Sequence, residues 1–281
     1  DGNTATGHRG GGFRSSGTVV GTNVLVQNNV SGGTANGERE GGGISVAGGD
    51  VHLTDSQIID NTAHLNGGGV YVTFGGVFRL DSSAVSDNSN EASFQSKIQG
   101  NVLTNGGGDG VGLYMSSGAS DIFLTDVLVG GEGAGEGNVS SDDGGGIAMN
   151  GTGTLNLTRV KVSHNIAADR GGGLIAYNGN GRTILEDVLF EGNDSTTEHG
   201  GAISVNSGKV SGTRVTFIDN AVGTAHGATT NTSRLGGAVY LGGEHLGEAR
   251  RRAQVSAKYL PGLIESSLTW PNASRCTSLP C

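Results

Sequence analysis

Apolar and polar residues alternate along most of this chain, in short segments with a period of two. The segments "VHLTDSQI" from Val51 and "LNLTRVKV" from Leu155 are examples. This period is typical of β-strands that bury one face, whereas an amphipathic helix repeats its apolar residues every three or four positions. The pattern therefore predicts many short strands, and no long helix before residue 244.

A glycine run followed by a strand-like triplet occurs eight times. In "GGGVYV", Val70 and Val72 are predicted to face the interior and Tyr71 to face outward. Tyr114, Tyr177 and Tyr240 recur after other runs and are also predicted to be exposed, either as ordinary strand residues or as platforms for sugar rings. The runs begin at Gly10, Gly41, Gly67, Gly110, Gly144, Gly171, Gly200 and Gly236.

An asparagine closes most of the repeat units, and one unit carries Glu132 at that position. Stacked asparagine side chains form hydrogen-bonded ladders in other parallel β stacks, so a structural role is predicted for them. The closing residues are Asn28, Asn61, Asn88, Asn165, Asn193 and Asn220. Apolar residues predicted to face inward stand three positions earlier (Leu25, Ile58, Val85, Val129, Val162, Phe190, Phe217) and eight positions earlier (Val20, Leu53, Leu80, Leu124, Leu157, Leu185).

The length of the unit predicts the architecture. Asn61 follows Asn28 by 33 residues, and Asn193 follows Asn165 by 28. Units of this length with short strands predict an all-β fold, a right-handed parallel β-helix of about eight coils over residues 1–243, on the order of 40 Å long at the usual strand spacing. Residues 244–281 break the pattern and are predicted to form either an irregular or short-helical cap or a non-repeat tail that does not fold with the rod.

Three longer segments interrupt the repeat. All three are predicted to leave the coil at one corner, between the closing asparagine and the next glycine run. Loops gathered on one side of a solenoid often carry function. They span Asn90 to Asp109, Gly130 to Asp143 and Ala221 to Leu235.

Composition narrows the possible functions. The net charge of −9 and the pI near 5.2 argue against a nucleic-acid-binding protein, which needs a basic face. No apolar stretch approaches the ~20 residues that span a bilayer. Seven N-x-S/T sequons are relevant only if the protein is secreted by a eukaryote. They lie at Asn29, Asn138, Asn150, Asn156, Asn193, Asn231 and Asn272.

The residue that precedes each glycine run is the candidate for chemistry. If the coils stack in register, Asp109, Asp143, Arg170 and His199 lie on consecutive rungs, with Asp142 and Glu198 beside them. Acidic residues with a neighbouring Arg or His can bind Ca²⁺ or act as acid and base. The alternative interpretation is a solvated corner of mixed charge. The column also contains Arg9, Glu40, Asn66 and Leu235.

Two motifs resemble the repeats of the chlamydial polymorphic outer-membrane proteins. The "GGA[I/V]" motif occurs at Gly200 and Gly236, and the "FxxN" motif runs from Phe190 to Asn193 and from Phe217 to Asn220. The resemblance covers roughly residues 10–243. It implies a pectin-lyase-like β-helix, the passenger of an autotransporter, used in adhesion at the cell surface or outer membrane.

Two functions remain open at this point. The first is a non-catalytic adhesin-like protein, extracellular or on the cell surface, that needs no cofactor and binds a surface, a glycan or a partner protein. The second is a lyase or hydrolase of acidic polysaccharides that uses Asp109, Asp143, Arg170 and His199, with Ca²⁺ as a cofactor only in this case. Ice binding requires a regular threonine column, and Thr22, Thr54 and Thr158 are predicted not to share one.

Overall fold

The computed structural model describes residues 1–32, 39–84, 94–118, 121–177, 181–223 and 237–242. Over these ranges the protein is a right-handed parallel β-helix of 28 strands in three sheets, and every strand pairing is parallel. The described residues contain no helix, and hence none long and apolar enough to cross a bilayer. The tail from 244 to 281, with its predicted cap, lies outside the described residues.

Each coil contributes to the three sheets in turn. Sheet A, the shortest in each coil, follows the ladder asparagines. Its strands, in spatial order, are β1 (Thr4–Thr6), β5 (Val30–Gly32), β9 (Thr62–Ala63), β13 (Val102–Leu103), β17 (Val139–Ser140), β21 (Ile166–Ala167), β24 (Asp194–Ser195) and β27 (Ala221–Val222).

Sheet B follows the glycine runs, so all eight runs lead to a strand as predicted. Its strands are β2 (Phe13–Ser15), β6 (Ile44–Ala47), β10 (Val70–Thr73), β14 (Leu113–Met115), β18 (Ile147–Met149), β22 (Leu174–Ala176), β25 (Ile203–Val205) and β28 (Val239–Leu241).

Sheet C is the largest sheet and bends in the middle of each coil. Its first half is formed by β3 (Thr18–Thr22), β7 (Asp50–Thr54), β11 (Val77–Asp81), β15 (Asp121–Thr125) and β19 (Thr154–Thr158). Its second half is formed by β4 (Leu25–Gln27), β8 (Gln57–Ile59), β12 (Ser96–Gln99), β16 (Val127–Gly130) and β20 (Lys161–Ser163). The halves merge in β23 (Arg182–Glu191) and β26 (Lys209–Ile218).

Over the described residues, the number of complete coils is slightly smaller than predicted. Seven coils contribute strands to all three sheets. The eighth is described through β27 and β28 alone.

Each glycine run serves two different needs of the backbone. The first glycine turns the corner with a positive φ, as at Gly144 with φ 62°, a conformation that glycine adopts without a steric penalty. The third glycine allows close approach: a Cβ on Gly146 would lie 2.5 Å from the carbonyl oxygen of Gly173 and 3.0 Å from Nδ2 of Asn165. The glycine run therefore passes directly over the closing asparagine of its own coil.

The bend in sheet C is made by polar residues in the left-handed conformation. Asp126 and Arg159 have φ of 56° and 51°. Polar side chains of this kind tolerate positive φ better than β-branched residues do. Arg159 donates from Nε to Oδ1 of Asp126 at 2.9 Å and from Nη2 to Oδ2 at 2.7 Å, so an ion pair joins two successive bends.

The core is one continuous stack of apolar side chains inside the coils. Phe190 stacks on Phe217, with ring centroids 5.4 Å apart. Parallel, in-register strands place equivalent residues above one another, which produces such columns. The predicted inward residues that are buried in this core are Ile58, Val129, Val162, Phe190, Leu53, Leu80, Leu124, Leu157 and Leu185.

The predicted register of the first coil is wrong by one residue. Val20 and Leu25, expected inside, have 75% and 53% of their surface exposed, whereas Val26 is buried. Val19 packs against the core from the neighbouring position. The error arose because two apolar residues stand side by side at each site, so the alternation alone allowed either register.

The predicted position of two long segments is also wrong. β12 and Asn101 lie inside the first segment and belong to the regular coil. In the second segment, residues 131–137 precede the ladder residue Asn138 rather than follow it. Extra residues therefore enter these coils before the asparagine corner. Most of the third segment, residues 224–235, lies outside the described residues, as does Val85.

Candidate functional site

An asparagine ladder runs along the corner between sheet C and sheet A. Asn165 shows the pattern: its Nδ2 donates to Oδ1 of Asn193 at 3.0 Å and to the carbonyl oxygen of Val129 at 3.0 Å. Its Oδ1 accepts from Nδ2 of Asn138 at 2.9 Å and from the backbone nitrogen of Asn138 at 3.1 Å. The ladder contains Asn29, Asn61, Asn101, Asn138, Asn165, Asn193 and Asn220, and Asn3 donates to its first member.

The ladder satisfies its buried polar groups without any charge. Asn61, Asn101 and Asn138 have no exposed surface. A primary amide carries both donors and an acceptor, so each rung can bind the next in the same way. Unpaired polar groups at this depth would cost on the order of 1–3 kcal/mol each. The ladder is a structural element that joins each coil to its neighbours.

Three of the predicted closing residues are not in this ladder. Asn28 is exposed with φ 57°, and its neighbour Asn29 occupies the rung. Asn88 lies outside the described residues, and Asn101 supplies the rung of that coil. The unit thought to carry Glu132 has Asn138 instead, while Glu132 pairs with Nζ of Lys97 at 2.7 Å on the surface.

The column before the glycine runs stacks in register over the described coils. The backbone nitrogen of Gly110 donates to the carbonyl oxygen of Asp143, that of Gly144 to Arg170, and that of Gly171 to His199, at 2.9–3.2 Å. Asp109, Asp143, Arg170 and His199 therefore do lie on consecutive rungs. Leu235 lies outside the described residues.

Asp143 is the centre of an acidic corner, which we define as Asp109, Asp142, Asp143, Arg170 and Tyr177. The Asp143 carboxylate accepts from Arg170 Nη2 at 2.8 Å, Arg170 Nε at 3.2 Å and the Arg170 backbone nitrogen at 2.7 Å. The Tyr177 hydroxyl donates to its Oδ2 at 2.6 Å. With 2% of its surface exposed, Asp143 is thus fully engaged by partners within the fold.

The other two carboxyl groups of the acidic corner, those of Asp109 and Asp142, have raised pKa values. Burial, with the charges of Asp143 and Asp142 adding to it, raises the pKa of Asp109 to about 7. Burial and the charge of Asp143 raise the pKa of Asp142 to about 6. Burial and the charge of Asp109 also raise the pKa of the Tyr177 hydroxyl well above its usual range. The corner therefore holds one carboxyl group that is still half protonated near neutral pH.

His199 occupies the next rung, at the end of the acidic corner. Its ring stacks on Tyr240, with ring centroids 4.2 Å apart. Arg170 also reaches Glu198, with its Nε 3.3 Å from Oε2. The four predicted site residues therefore share one column, and the direct side-chain pairing among them joins Arg170 to Asp143.

The tyrosines after the glycine runs are not a uniform exposed set. Tyr71 and Tyr114 have 5% and 7% of their surface exposed, and their rings stack with centroids 5.6 Å apart. The prediction that these two are exposed platforms is wrong, because the outward side of sheet B is itself buried there. Tyr177 and Tyr240 are half-buried and contact Asp143 and His199.

The acidic corner is a poor fit for a resident metal ion. Carboxylate oxygens of Asp109, Asp142 and Asp143 lie within 4.8 Å of one another, and such oxygens are the ligands that Ca²⁺ prefers. However, Arg170 and Tyr177 already occupy the oxygens of Asp143. The raised pKa of Asp109 also shows that this carboxyl group favours a proton.

The outward face of the first half of sheet C forms a second candidate site, which we call the C face. Thr22 pairs with Thr54, and Thr125 pairs with Thr158, in the parallel register. The prediction that these threonines do not share a column is wrong. The complete column is Thr22, Thr54, Asp81, Thr125, Thr158, Glu186 and Thr213.

Charges on the C face are largely paired across neighbouring coils. His52 Nε2 lies 2.5 Å from Oδ2 of Asp81, and Arg79 pairs with Asp50. The Arg79 guanidinium also lies over the half-buried ring of Phe123, 5.0 Å from its centroid. This face thus presents hydroxyls, the ring of Phe123 and charges of both signs, which include Asp121, Arg182 and Lys209.

No family model, no curated protein and no solved structure matches this chain.

Proposed function

We propose that this protein is a non-catalytic β-helical binding protein whose recognition surface is the C face. The observation that carries the proposal is the in-register threonine column on a sheet that the asparagine ladder holds rigid. Every member of the column is half-buried or exposed. A rigid surface binds with little loss of conformational entropy, which favours recognition of an extended, repetitive ligand.

The ligand class that fits the C face best is an uncharged polysaccharide. Threonine hydroxyls both donate and accept hydrogen bonds, as sugar hydroxyls do. Phe123 offers a ring for the apolar face of a sugar. Charges of both signs stand on the C face, with Arg79 paired with Asp50, which leaves little net charge to attract a strongly ionic polymer.

The resemblance to the chlamydial polymorphic outer-membrane protein repeats supports a proposed location at the cell surface and a role in adhesion. In that setting the rod would stand outside the cell, at the outer membrane, and serve in adhesion. A pectin-lyase-like coil without catalytic chemistry is consistent with such a role, because the Asp143 carboxylate is engaged by Arg170 and Tyr177.

A binding experiment tests the proposal. The purified protein is sedimented with insoluble neutral polysaccharides, and the combined variant Phe123→Ala, Thr125→Ala, Thr158→Ala is compared with Thr104→Ala, an exposed threonine away from the C face. The C-face variant should bind at least about tenfold more weakly, while the control binds normally. Equal binding by both variants, or capture only of a protein partner, contradicts the glycan proposal.

The acidic corner favours a second candidate function, hydrolysis of an acidic polysaccharide. Asp109, protonated near neutral pH, would donate its proton to the departing glycosidic oxygen while an oxygen of Asp142 attacks the anomeric carbon, because carboxylate oxygens within 4.8 Å of each other match the short separation of the double-displacement mechanism. Water would then cleave the glycosyl–Asp142 bond and give its proton to the Asp109 carboxylate. Arg170 would position Asp143, and His199 would border the substrate. The raised pKa of Asp109 is the observation in favour of this candidate.

Turnover of uronate polymers tests this alternative. Release of reducing ends is measured for the protein and for Asp109→Asn, with added Ca²⁺ and with a chelator. A hydrolase should lose at least about 100-fold of its rate in the variant. Absence of turnover in the unaltered protein, with polysaccharide binding retained, rejects the enzyme and leaves the binding protein.

A further inference from the structure

Three of the N-x-S sequons coincide with rungs of the asparagine ladder. They begin at Asn29, Asn138 and Asn193, whose side chains have at most 1% of their surface exposed. In each, Nδ2 donates to Oδ1 of the next rung at 2.9–3.0 Å. Nδ2 is the atom to which an N-linked oligosaccharide is attached, so the glycan and the ladder compete for the same atom.

The corner leaves no room for a sugar on these nitrogens. In these three coils the third residue of the run is a glycine that lies directly over the ladder amide. A Cβ on Gly12 would lie 3.0 Å from Nδ2 of Asn29, and a Cβ on Gly112 would lie 2.9 Å from Nδ2 of Asn138. A group too crowded to accept a neighbouring methyl cannot accept a hexose.

The serine of each sequon is also explained by the fold. Ser31, Ser140 and Ser195 are buried in sheet A, and the Oγ of each donates to a backbone carbonyl oxygen near the glycine corner. Ala63 and Ala167 occupy the same position in other coils and are also fully buried. The sequons therefore arise from two structural columns, one of asparagine and one of small inward residues.

The sequon at Asn156, in contrast, could carry a glycan without disturbing the fold. It stands on the outward side of β19, between Phe123 and Ile184 of the neighbouring strands, and its side chain is half-buried. A glycan attached there would project into solvent and leave the ladder intact.

We infer that this protein folds only when Asn29, Asn138 and Asn193 are unmodified, and hence that it matures by a route without asparagine-linked oligosaccharide transfer. In that transfer, Nδ2 forms a bond to C1 of a lipid-pyrophosphate-linked oligosaccharide. The C1–O bond breaks, the lipid pyrophosphate leaves, and the amide proton is released. The transfer acts on the extended chain before folding, so it would reach these asparagines before the corner closes.

Expression through a eukaryotic secretory pathway tests the inference. The parent chain is compared with the triple variant Ser31→Ala, Ser140→Ala, Ser195→Ala, which removes the three sequons and places at each position the residue found at Ala63 and Ala167. The parent should be retained, with glycans on the ladder asparagines. The variant should be secreted at least about tenfold better, with a glycan on Asn156.

Two controls separate glycosylation from stability. Both chains are produced in a bacterial host, where they should fold with similar melting temperatures. The parent should also be secreted when synthesis of the lipid-linked donor is inhibited. Secretion of a folded parent chain carrying glycans at Asn29, Asn138 or Asn193 overturns the inference. Secretion of the parent at the yield of the variant, with donor synthesis intact, overturns it as well.

Discussion

Two corners of each coil stack polar side chains above one another, and the two stacks have different chemistry. At the asparagine corner, successive rungs carry identical neutral amides that bind one another from Asn29 to Asn220. At the glycine corner, successive rungs carry Asp109, Asp143 and Arg170, whose charges differ. The amide corner is uniform and fully satisfied, whereas the acidic corner retains a carboxyl group with a raised pKa.

The difference follows from what each side chain can donate. An amide donates and accepts, so the same residue can be stacked without limit. A carboxylate only accepts, so two adjacent carboxylates repel unless a cation, a hydroxyl donor or a proton intervenes. Arg170 and Tyr177 donate hydrogen bonds to Asp143, and a bound proton neutralises Asp109. A carboxylate placed at the asparagine corner should therefore destabilise the fold, whereas an amide placed at the acidic corner should stabilise it.

The largest expected effect is that of placing a carboxylate in the ladder. Asn165→Asp removes the Nδ2 donor and buries a negative charge that no cation neutralises, with its second oxygen facing Oδ1 of Asn193, so the free energy of unfolding should fall by roughly 3–5 kcal/mol at pH 8. Part of this loss should be recovered as the pH falls below the raised pKa of the new carboxyl group, because the protonated acid is neutral. Urea unfolding at pH 8 and pH 5 measures both. A variant as stable as the parent at pH 8 would show that the ladder is dispensable.

A smaller loss is expected when the acidic corner loses its centre. Asp143→Ala leaves Arg170 and the Tyr177 hydroxyl without their shared acceptor. Because Arg170 is partly exposed to water, the expected loss of stability is about 1–3 kcal/mol. Urea unfolding at pH 7 gives the value, with Glu198→Ala, whose carboxylate is about half exposed, as a matched control near zero. Equal losses in the two variants contradict a central role for Asp143.

A modest gain is expected when an amide enters the acidic corner. Burial raises the pKa of Asp109 to about 7 in the folded protein from its ordinary value of 3.8, so the unfolded chain releases this proton first as the pH rises. The free energy of unfolding should therefore fall between about pH 4 and pH 7 because of this residue. Asp109→Asn should be about 1–2 kcal/mol more stable than the parent at pH 8, after allowance for solvent screening, and unchanged at pH 4.

A pH series of unfolding curves for Asp109→Asn and the parent checks this expectation. The two curves should coincide in acid and separate toward neutral pH. Curves that stay parallel from pH 4 to pH 8 would show that Asp109 has an ordinary pKa in the folded state.

The sequence predicted the coil wherever a unique residue type marked its place. The glycine runs located sheet B, and single inward residues such as Leu53 and Ile58 located the core. The prediction of position was wrong where two adjacent residues were chemically equivalent, as at Asn28 and Asn29. It also failed at Asn138, because residues 131–137 precede the ladder position and displaced the expected spacing.

For the candidate site, the sequence predicted only that its residues share one column. Counting back from the glycine runs placed Asp109, Asp143 and Arg170 in one column. The engagement of Asp143 by Tyr177, and the threonine column of the C face, could not be read from spacing, because both depend on the register of strands far apart in sequence. A signal for the ladder was present, since Asn101 and Asn138 each stand directly before a valine and a few residues before a glycine run.

The most direct test of the ladder compares two positions in one coil. Unfolding by urea is measured for Asn138→Ala and for Glu132→Ala. If the ladder holds the rod together, Asn138→Ala loses roughly 3 kcal/mol or more, because the backbone nitrogen and Nδ2 of Asn101 lose their shared acceptor, and the Ile98 carbonyl oxygen and Asn165 Oδ1 each lose a donor. The surface pair of Glu132 with Lys97 should be worth less than about 1 kcal/mol. A larger loss for Glu132→Ala than for Asn138→Ala would contradict the account.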